Sequence, residues 1–293
     1  MTARRPILVA LDAFGTIFSP RKPIGEQYVS VAEEHGLKGL SVDGVNRSFK
    51  SAFKHMSQEH PNYGKISDMK SSNLWWYELI NRTFSPHLST EKQQMMPPGL
   101  APALLHRFSS SLGYQVHDDA ARLLEKLKSL RAQLAATDQQ LVVGVLSNSD
   151  DRVPSILRSL GFQVSLPGLS DTPQAINAPT PNDHCQFVAL SYDIGYEKPS
   201  AQIFDYAAVL VREYLISSSR KTCPITKLYI GDDVEKDIKG ANDAGWHSIL
   251  IDRNDKSIAG IKDPLQLFKR MESASKNGQV FNERVSSLLE PEN

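Results

Sequence analysis

Four short apolar runs, each stopped by a polar residue or a glycine, constrain this chain more than any other feature. They occupy residues 7–11, 141–146, 227–230 and 248–251 and are rich in Val, Ile and Leu. Near-continuous apolar runs of this length suit strands covered on both faces, as in a parallel sheet. Helical spacing fills the intervals. Ala120, Leu123, Leu124, Leu127, Leu130 and Leu134 form one stripe, with Asp118 or Asp119 placed to cap its start. Pro199 suits a first helical position, and Ile203, Ala207, Leu210 and Tyr214 repeat behind it. Residues 234–245 read as a further helix closed by Gly245. Strands alternating with helices predict an α/β fold with a doubly wound, mostly parallel sheet.

The first two runs are separated by far more chain than a crossover needs. That interval has helical patterns of its own, including EQYVSVAEEHGL and SNLWWYELINRTF. The expected organisation is a core formed by 1–18 and 116–271, a helical insertion at 19–115, and a polar tail at 272–293. Two stretches, 166–184 and 217–224, have the Pro, Asn, Asp and Ser content of loops. At 293 residues the chain can bury one large or two smaller cores.

Charge and cysteine content mainly exclude. Thirty-three Lys and Arg balance thirty-three Asp and Glu, so no net field points to nucleic acid or an anionic membrane. The two cysteines, Cys185 and Cys223, form no CxxC pair and read as plain thiols in a reducing compartment. The opening apolar run is too short for a signal-peptide core, and no stretch approaches membrane-spanning length. A cytoplasmic location, extending to the nucleus, is the expectation. GxGxxG, GxxxxGK[ST] and His/Cys metal spacings are absent. The Trp75-Trp76 pair reads as packing within the insertion rather than as a stacking platform.

Ligands of doubly wound sheets bind outside the carboxyl ends of the strands. There the first run delivers Asp12, then Phe14 and Thr16. The second delivers Ser147 and Asn148, and the third Asp232 and Asp233, with Asp237 one helical turn on. Lys198 directly precedes a predicted helix. Each alone reads as a turn, a cap or a solvated side chain. Their joint order at strand ends is what points to a site.

The four segments LDAFGT (11–16), LSNSD (146–150), EKPSAQIF (197–204) and IGDDVEKDIKGANDAG (230–245) resemble the motifs of the haloacid dehalogenase (HAD) superfamily. Within the insertion, FKHMSQEHPNYGKISDMKSSNLWWYELINRTF (53–84) resembles the helical cap of its subgroup called haloacid dehalogenase-like hydrolase domain-containing protein 3. The resemblance implies a hydrolase in which Asp12 is the nucleophile and Lys198 neutralises charge. It implies that Thr16, Ser147 and Asn148 face a phosphate. It also implies Mg²⁺ held by Asp12, the Phe14 backbone carbonyl, Asp232, Asp233 and Asp237, and a small-molecule substrate admitted by the cap.

Phe14 departs from the phosphatase pattern, in which a second acid at this position protonates the leaving group and then activates water. Loss of a general acid/base typically lowers rate by about 10²–10⁴. An aromatic here instead resembles the 2-haloacid dehalogenases, which need neither that proton nor a metal. The three acids at 232, 233 and 237 weigh for the phosphatase, since without a cation they would repel Asp12 and one another. A slow or inactive fold that binds a phospholigand or a protein is the non-enzyme alternative.

Overall fold

The computed structural model describes residues 4–69, 71–88, 95–165, 180, 182–214, 216, 223–255 and 259–290. The strands are β1 (Ile7–Leu11), β2 (Phe18–Pro20), β3 (Tyr114–Val116), β4 (Leu141–Ser147), β5 (Phe187–Leu190), β6 (Thr226–Gly231), β7 (His247–Ile251) and β8 (Asn282–Val285). The helices are α1 (Ile24–Glu34), α2 (Val42–Glu59), α3 (Ser72–Phe84), α4 (Leu100–Arg107), α5 (Asp118–Ala136), α6 (Val153–Ser159), α7 (Ser191–Ile194), α8 (Ala201–Tyr214), α9 (Gly240–Asp243) and α10 (Pro264–Lys276). A π-helical turn, Val234–Lys239, leads into α9.

Six strands form one sheet in the order β5-β4-β1-β6-β7-β8, and every pairing is parallel. With its flanking helices this is the doubly wound α/β architecture. The four apolar runs all became strands, β1 with the expected bounds, β4 and β7 longer by one residue and β6 by one at each end. Leu11 pairs with Val145 on one side and Ile230 on the other, which aligns the carboxyl ends of β1, β4 and β6. After β5 the chain resumes on the far side of β1, so the order reverses there. Such a switch point opens a crevice at the strand ends.

One core cluster joins the sheet to α8. Phe204, Tyr229 and Trp246 are fully buried in it, with Ile203, Ala207 and Val211. Burying an aliphatic or phenylalanine side chain contributes about 1.5–3 kcal/mol. The stripe on α5 is also buried, from Ala120 to Leu134.

The chain divides into two compact units, 1–19 with 116–148 and 161–293, and 20–115 with 149–160. The second unit thus takes in α6, beyond the insertion expected from sequence. Three further expectations are corrected. Residues 272–290 are no polar tail, because α10 runs to Lys276 and β8 adds a sixth strand along β7. Helix α8 starts at Ala201 rather than Pro199, with the Ser200 hydroxyl accepting from the Gln202 amide. The Lys198–Pro199 bond is cis. Helix α5 is entered from His117, and Asp118 and Asp119 lie in its first turn instead of capping it.

Gly245, at φ 70°, follows α9 as expected. Cys185 and Cys223 are free thiols, and burial pushes Cys185 up to about 12. Most of 166–184 and of 217–224 lies outside the described residues. Among the described residues, no helix is long and apolar enough to cross a membrane.

Within the second unit, Trp75 is buried and donates its indole N–H to the His60 carbonyl at 2.9 Å. Trp76 donates to Asp150 Oδ2 at 2.7 Å and lies 4.0 Å from the Arg152 guanidinium. Both tryptophans serve packing and hydrogen bonding inside that unit.

Candidate active site

Asp12 follows the last residue of β1, and its amide donates to the Ile230 carbonyl at 2.8 Å. This bond ties the first loop to the end of β6. The next residues curl back, Gly15 at φ 78°, a conformation glycine adopts without penalty. A Cβ at Gly15 would overlap the Asp232 carboxylate, and one at Gly231 would overlap that of Asp237. Both glycines therefore make room for acids, which is a reason for their chemistry beyond turn geometry.

Three carboxylates converge. Asp12, Asp232 and Asp237 each offer an oxygen lying within 4.8 Å of the other two. A single ammonium faces them. Lys198 Nζ donates to Asp237 Oδ1 at 2.6 Å and to the Tyr229 hydroxyl at 2.7 Å. It also forms an ion pair with Asp12 Oδ1 at 2.9 Å. Among the described residues, that buried oxygen has no other partner.

The titration behaviour follows from this imbalance. Burial pulls the Lys198 ammonium down, but Asp12 and Asp237 more than offset it and hold the group above its usual range. Burial raises the Asp237 carboxyl against the pull of Lys198, and Asp12 adds a smaller push in the same direction as burial. The Asp232 carboxyl is pushed up to about 6 by desolvation and by repulsion from Asp12 and Asp237. Asp232 is exposed as a residue, so the repulsion is the firmer of those causes. Burial also raises the Tyr229 phenol well above its ordinary value, followed by Asp12 and Asp237.

The remaining predicted residues divide into those at the cluster and those committed elsewhere. Thr16 is buried, and its hydroxyl donates to Asp232 Oδ1 at a long 3.4 Å. Ser147 is the buried last residue of β4. Phe14 lies in the loop after Asp12 with its ring edge-on to Phe18, centroids 4.8 Å apart.

Asn148 was expected to face a phosphate, but its side-chain amide brackets the Lys198 backbone. Oδ1 accepts from the Lys198 amide at 2.7 Å, and Nδ2 donates to the Lys198 carbonyl at 2.9 Å. Asp233 was expected as a metal ligand, yet it stands outside the carboxylate cluster. Its Oδ1 accepts from the Glu235 and Lys236 amides, each at 2.9 Å, because it begins the helical turn and those N–H groups have no other partner in the chain's course.

Sequence reading missed three residues. Tyr229 lies inside an apolar strand and reads as core. Arg253, two residues beyond β7, donates through Nη2 to the Thr16 carbonyl at 2.6 Å and through Nε to the Gly15 carbonyl at 3.5 Å. Buried Asp119 pairs with Arg253 Nη1 and accepts from the Leu288 amide at 2.8 Å. Arg253 was detectable as a polar residue at a strand's carboxyl end. The other two become legible only from contacts between distant segments.

Comparison with known proteins agrees with this geometry. A family profile described as HAD-hydrolase-like matches residues 195–265, which include Lys198, Asp232 and Asp237. Haloacid dehalogenase-like hydrolase domain-containing protein 3 of Bos taurus is 28% identical over 256 residues, covering 87% of this chain and 86% of that protein. The Homo sapiens protein of the same name is 28% identical over 244 residues, covering 83% and 81%. Over most of its length this chain is similar to haloacid dehalogenase-like hydrolases. Among solved structures, a magnesium-bound Bacillus subtilis protein assigned to the HAD-hydrolases, YfnB, superposes with TM-score 0.52 at 16% identity. That match covers 92% of this chain and all (100%) of the other, and at this identity it speaks for the fold. The cluster of Asp12, Asp232 and Asp237 fits a cation on two grounds. Asp12 Oδ1 is buried with the Lys198 ammonium as its one partner among the described residues, and three carboxylates share that ammonium.

Proposed function

We propose that this HAD hydrolase is a Mg²⁺-dependent phosphatase of small molecules, working through an aspartyl phosphate on Asp12 and slowed by Phe14. The observation that carries the reading is the unbalanced carboxylate cluster, with the Asp232 carboxyl held up to about 6. A dehalogenase that dispenses with metal has no use for such repulsion, whereas one dication removes it.

Asp12 supplies the attacking oxygen, which forms a bond to phosphorus as the ester oxygen leaves with its bonding electrons. Lys198 spreads positive charge over the nucleophile and the transferring group. Ser147 donates its hydroxyl to a phosphoryl oxygen, and Thr16 orients the loop that carries Asp12. Asp12, Asp232 and Asp237, with the Phe14 carbonyl, would hold the ion, whose charge offsets that of carboxylates and phosphate. Phe14 offers no proton to the leaving oxygen and no base for hydrolysis of the acyl phosphate, so the ester with the best leaving group reacts fastest. The inserted helical unit is left to select the substrate.

One observation favours a second reading. The aromatic side chain at position 14 suits loss of halide from a 2-haloacid, which leaves without a proton. The experiment separates the two. Phosphate release from p-nitrophenyl phosphate and acetyl phosphate is measured with Mg²⁺ and with EDTA, beside metal-free halide release from 2-chloropropionate. Mg²⁺-dependent phosphate release supports the phosphatase. Halide release alone replaces it, and neither product leaves a binding role for a phospholigand or protein.

A further inference from the structure

The Lys198 side chain is long and flexible, yet its ammonium must sit at one point among three acids. Two devices hold it. Asn148 brackets its backbone from both sides, as described above. At the far end the phenol of Tyr229 accepts from Nζ at 2.7 Å. A phenol has one proton, and Tyr229 donates it to the Leu146 carbonyl at 2.8 Å, in preference to Asp237 Oδ1 at 3.3 Å. With that proton committed, the oxygen turned to Lys198 is an acceptor only.

The ring itself cannot swing. Tyr229 is fully buried in β6, edge-on to Phe204 with centroids 5.2 Å apart. Leu146 immediately precedes Ser147, so the same hydroxyl ties the end of β4 to the ammonium. Phe204, Tyr229 and Leu146 belong to one packed cluster. The core therefore helps set the position of the charge, alongside the carboxylates it serves.

We infer that Tyr229 is a positioning residue whose hydroxyl, fixed by the Leu146 carbonyl, holds the Lys198 ammonium against Asp12 and Asp237. Its kinetic consequence rests on the phosphatase reading; its structural consequence does not. Without the hydroxyl, one N–H of a buried ammonium loses its acceptor, and the charge is free to shift toward either acid.

The test is Tyr229→Phe in the full chain with saturating Mg²⁺, which keeps the ring and its packing. Protein labelled with ¹⁵N-lysine is observed by NMR, and the Lys198 ammonium signal is assigned by its loss in Lys198→Met. Removal of the hydroxyl is expected to speed proton exchange at that ammonium by about tenfold while the other lysine signals stay in place, since only the local opening changes. In parallel, p-nitrophenyl phosphate turnover is expected to fall about tenfold, a loss of preorganised charge. Globally incorporated 3-fluorotyrosine, a weaker acceptor of similar shape, should shift the Lys198 signal even if Tyr229→Phe does not fold.

A wild-type protein without a protected Lys198 signal overturns the inference. So does a Lys198 signal unmoved by Tyr229→Phe, or by the fluorotyrosine where that variant does not fold, whatever the turnover does. If no ester is hydrolysed by wild type but the signal moves, the phosphatase reading fails and the positioning role stands.

Discussion

Among the described residues, each compact unit contains a buried ionic cluster, around Asp150 in one and around Lys198 in the other, and the two are built on opposite plans. In the unit formed by 20–115 and 149–160, Asp150 meets Arg152 one to one. Nε donates to Oδ1 at 2.8 Å and Nη2 to Oδ2 at 2.9 Å, with the Trp76 indole adding a third donor. In the other unit, Asp12, Asp232 and Asp237 share the lone ammonium of Lys198. The titration shifts diverge accordingly. Burial raises Asp150, but Arg152 wins and holds it below the ordinary carboxylate range. Asp232 and Asp237 are both held above it. A cluster that closes its own charge is complete as it stands. One that leaves acids in excess is poised to receive a cation or a reacting group.

The largest effect expected from this contrast is at the nucleophile. Asp12→Asn should lower phosphate release by on the order of 10³ or more, as loss of a nucleophile does. Phosphate assays on purified variant and wild type decide it. Retained activity would mean the unbalanced cluster is not where the chemistry occurs.

Arg152→Met comes next and acts on stability. It leaves Asp150 buried without its counter-charge, a change that costs about 3–5 kcal/mol. A melting midpoint lowered by roughly 10 °C is expected by circular dichroism, given about 2–4 °C per kcal/mol for domains of this size. Pairing it with Asp150→Leu should recover much of the loss, since removing both charges leaves neither unpaired. A midpoint unchanged by Arg152→Met would show that the balanced pair contributes nothing.

Phe14→Asp probes the missing proton donor. Restoring an acid should raise turnover by about 10², and more for alkyl than for aryl phosphates. Equal turnover of the two ester classes by wild type would remove the argument from Phe14 altogether.

The smallest effect is on the metal-free fold. Asp232 titrates near 6 in the folded chain and near 3.9 when unfolded. The folded state therefore binds the proton more tightly, and Asp232 erodes stability as pH rises from about 4 through about 6. Asp232→Asn removes that erosion. In EDTA the variant should match wild type near pH 4 and melt about 2 °C higher at pH 7, a modest gain because the residue is exposed to solvent. The variant should also lose most of the midpoint rise that Mg²⁺ gives wild type. A difference that is flat with pH would show that Asp232 feels no repulsion.

The difference between the clusters was only half legible beforehand. Asp12, Ser147, Asp232 and Lys198 stand where strands end or a helix begins, and local patterning exposes such places. Asp150 lies in the same SNSD turn as Ser147, and nothing in the turn says that it belongs to another unit and another partner. Asp233 and Asp237 look alike on paper. One satisfies the amides of a helical turn, and the other is drawn to Lys198. The choice depends on which side of the turn faces the sheet.

By itself, the sequence determined the parallel sheet, the long insertion after the first strand, and the strand ends at which reactive side chains gather. These follow from hydrophobic periodicity and breaker residues, which act over a few positions. Tertiary structure alone decided that β8 completes the sheet, that α6 joins the inserted unit, and that Tyr229, Arg253 and Asp119 brace the site. Each depends on contacts between segments far apart in the chain, where a buried donor must find whichever acceptor the packing brings to it.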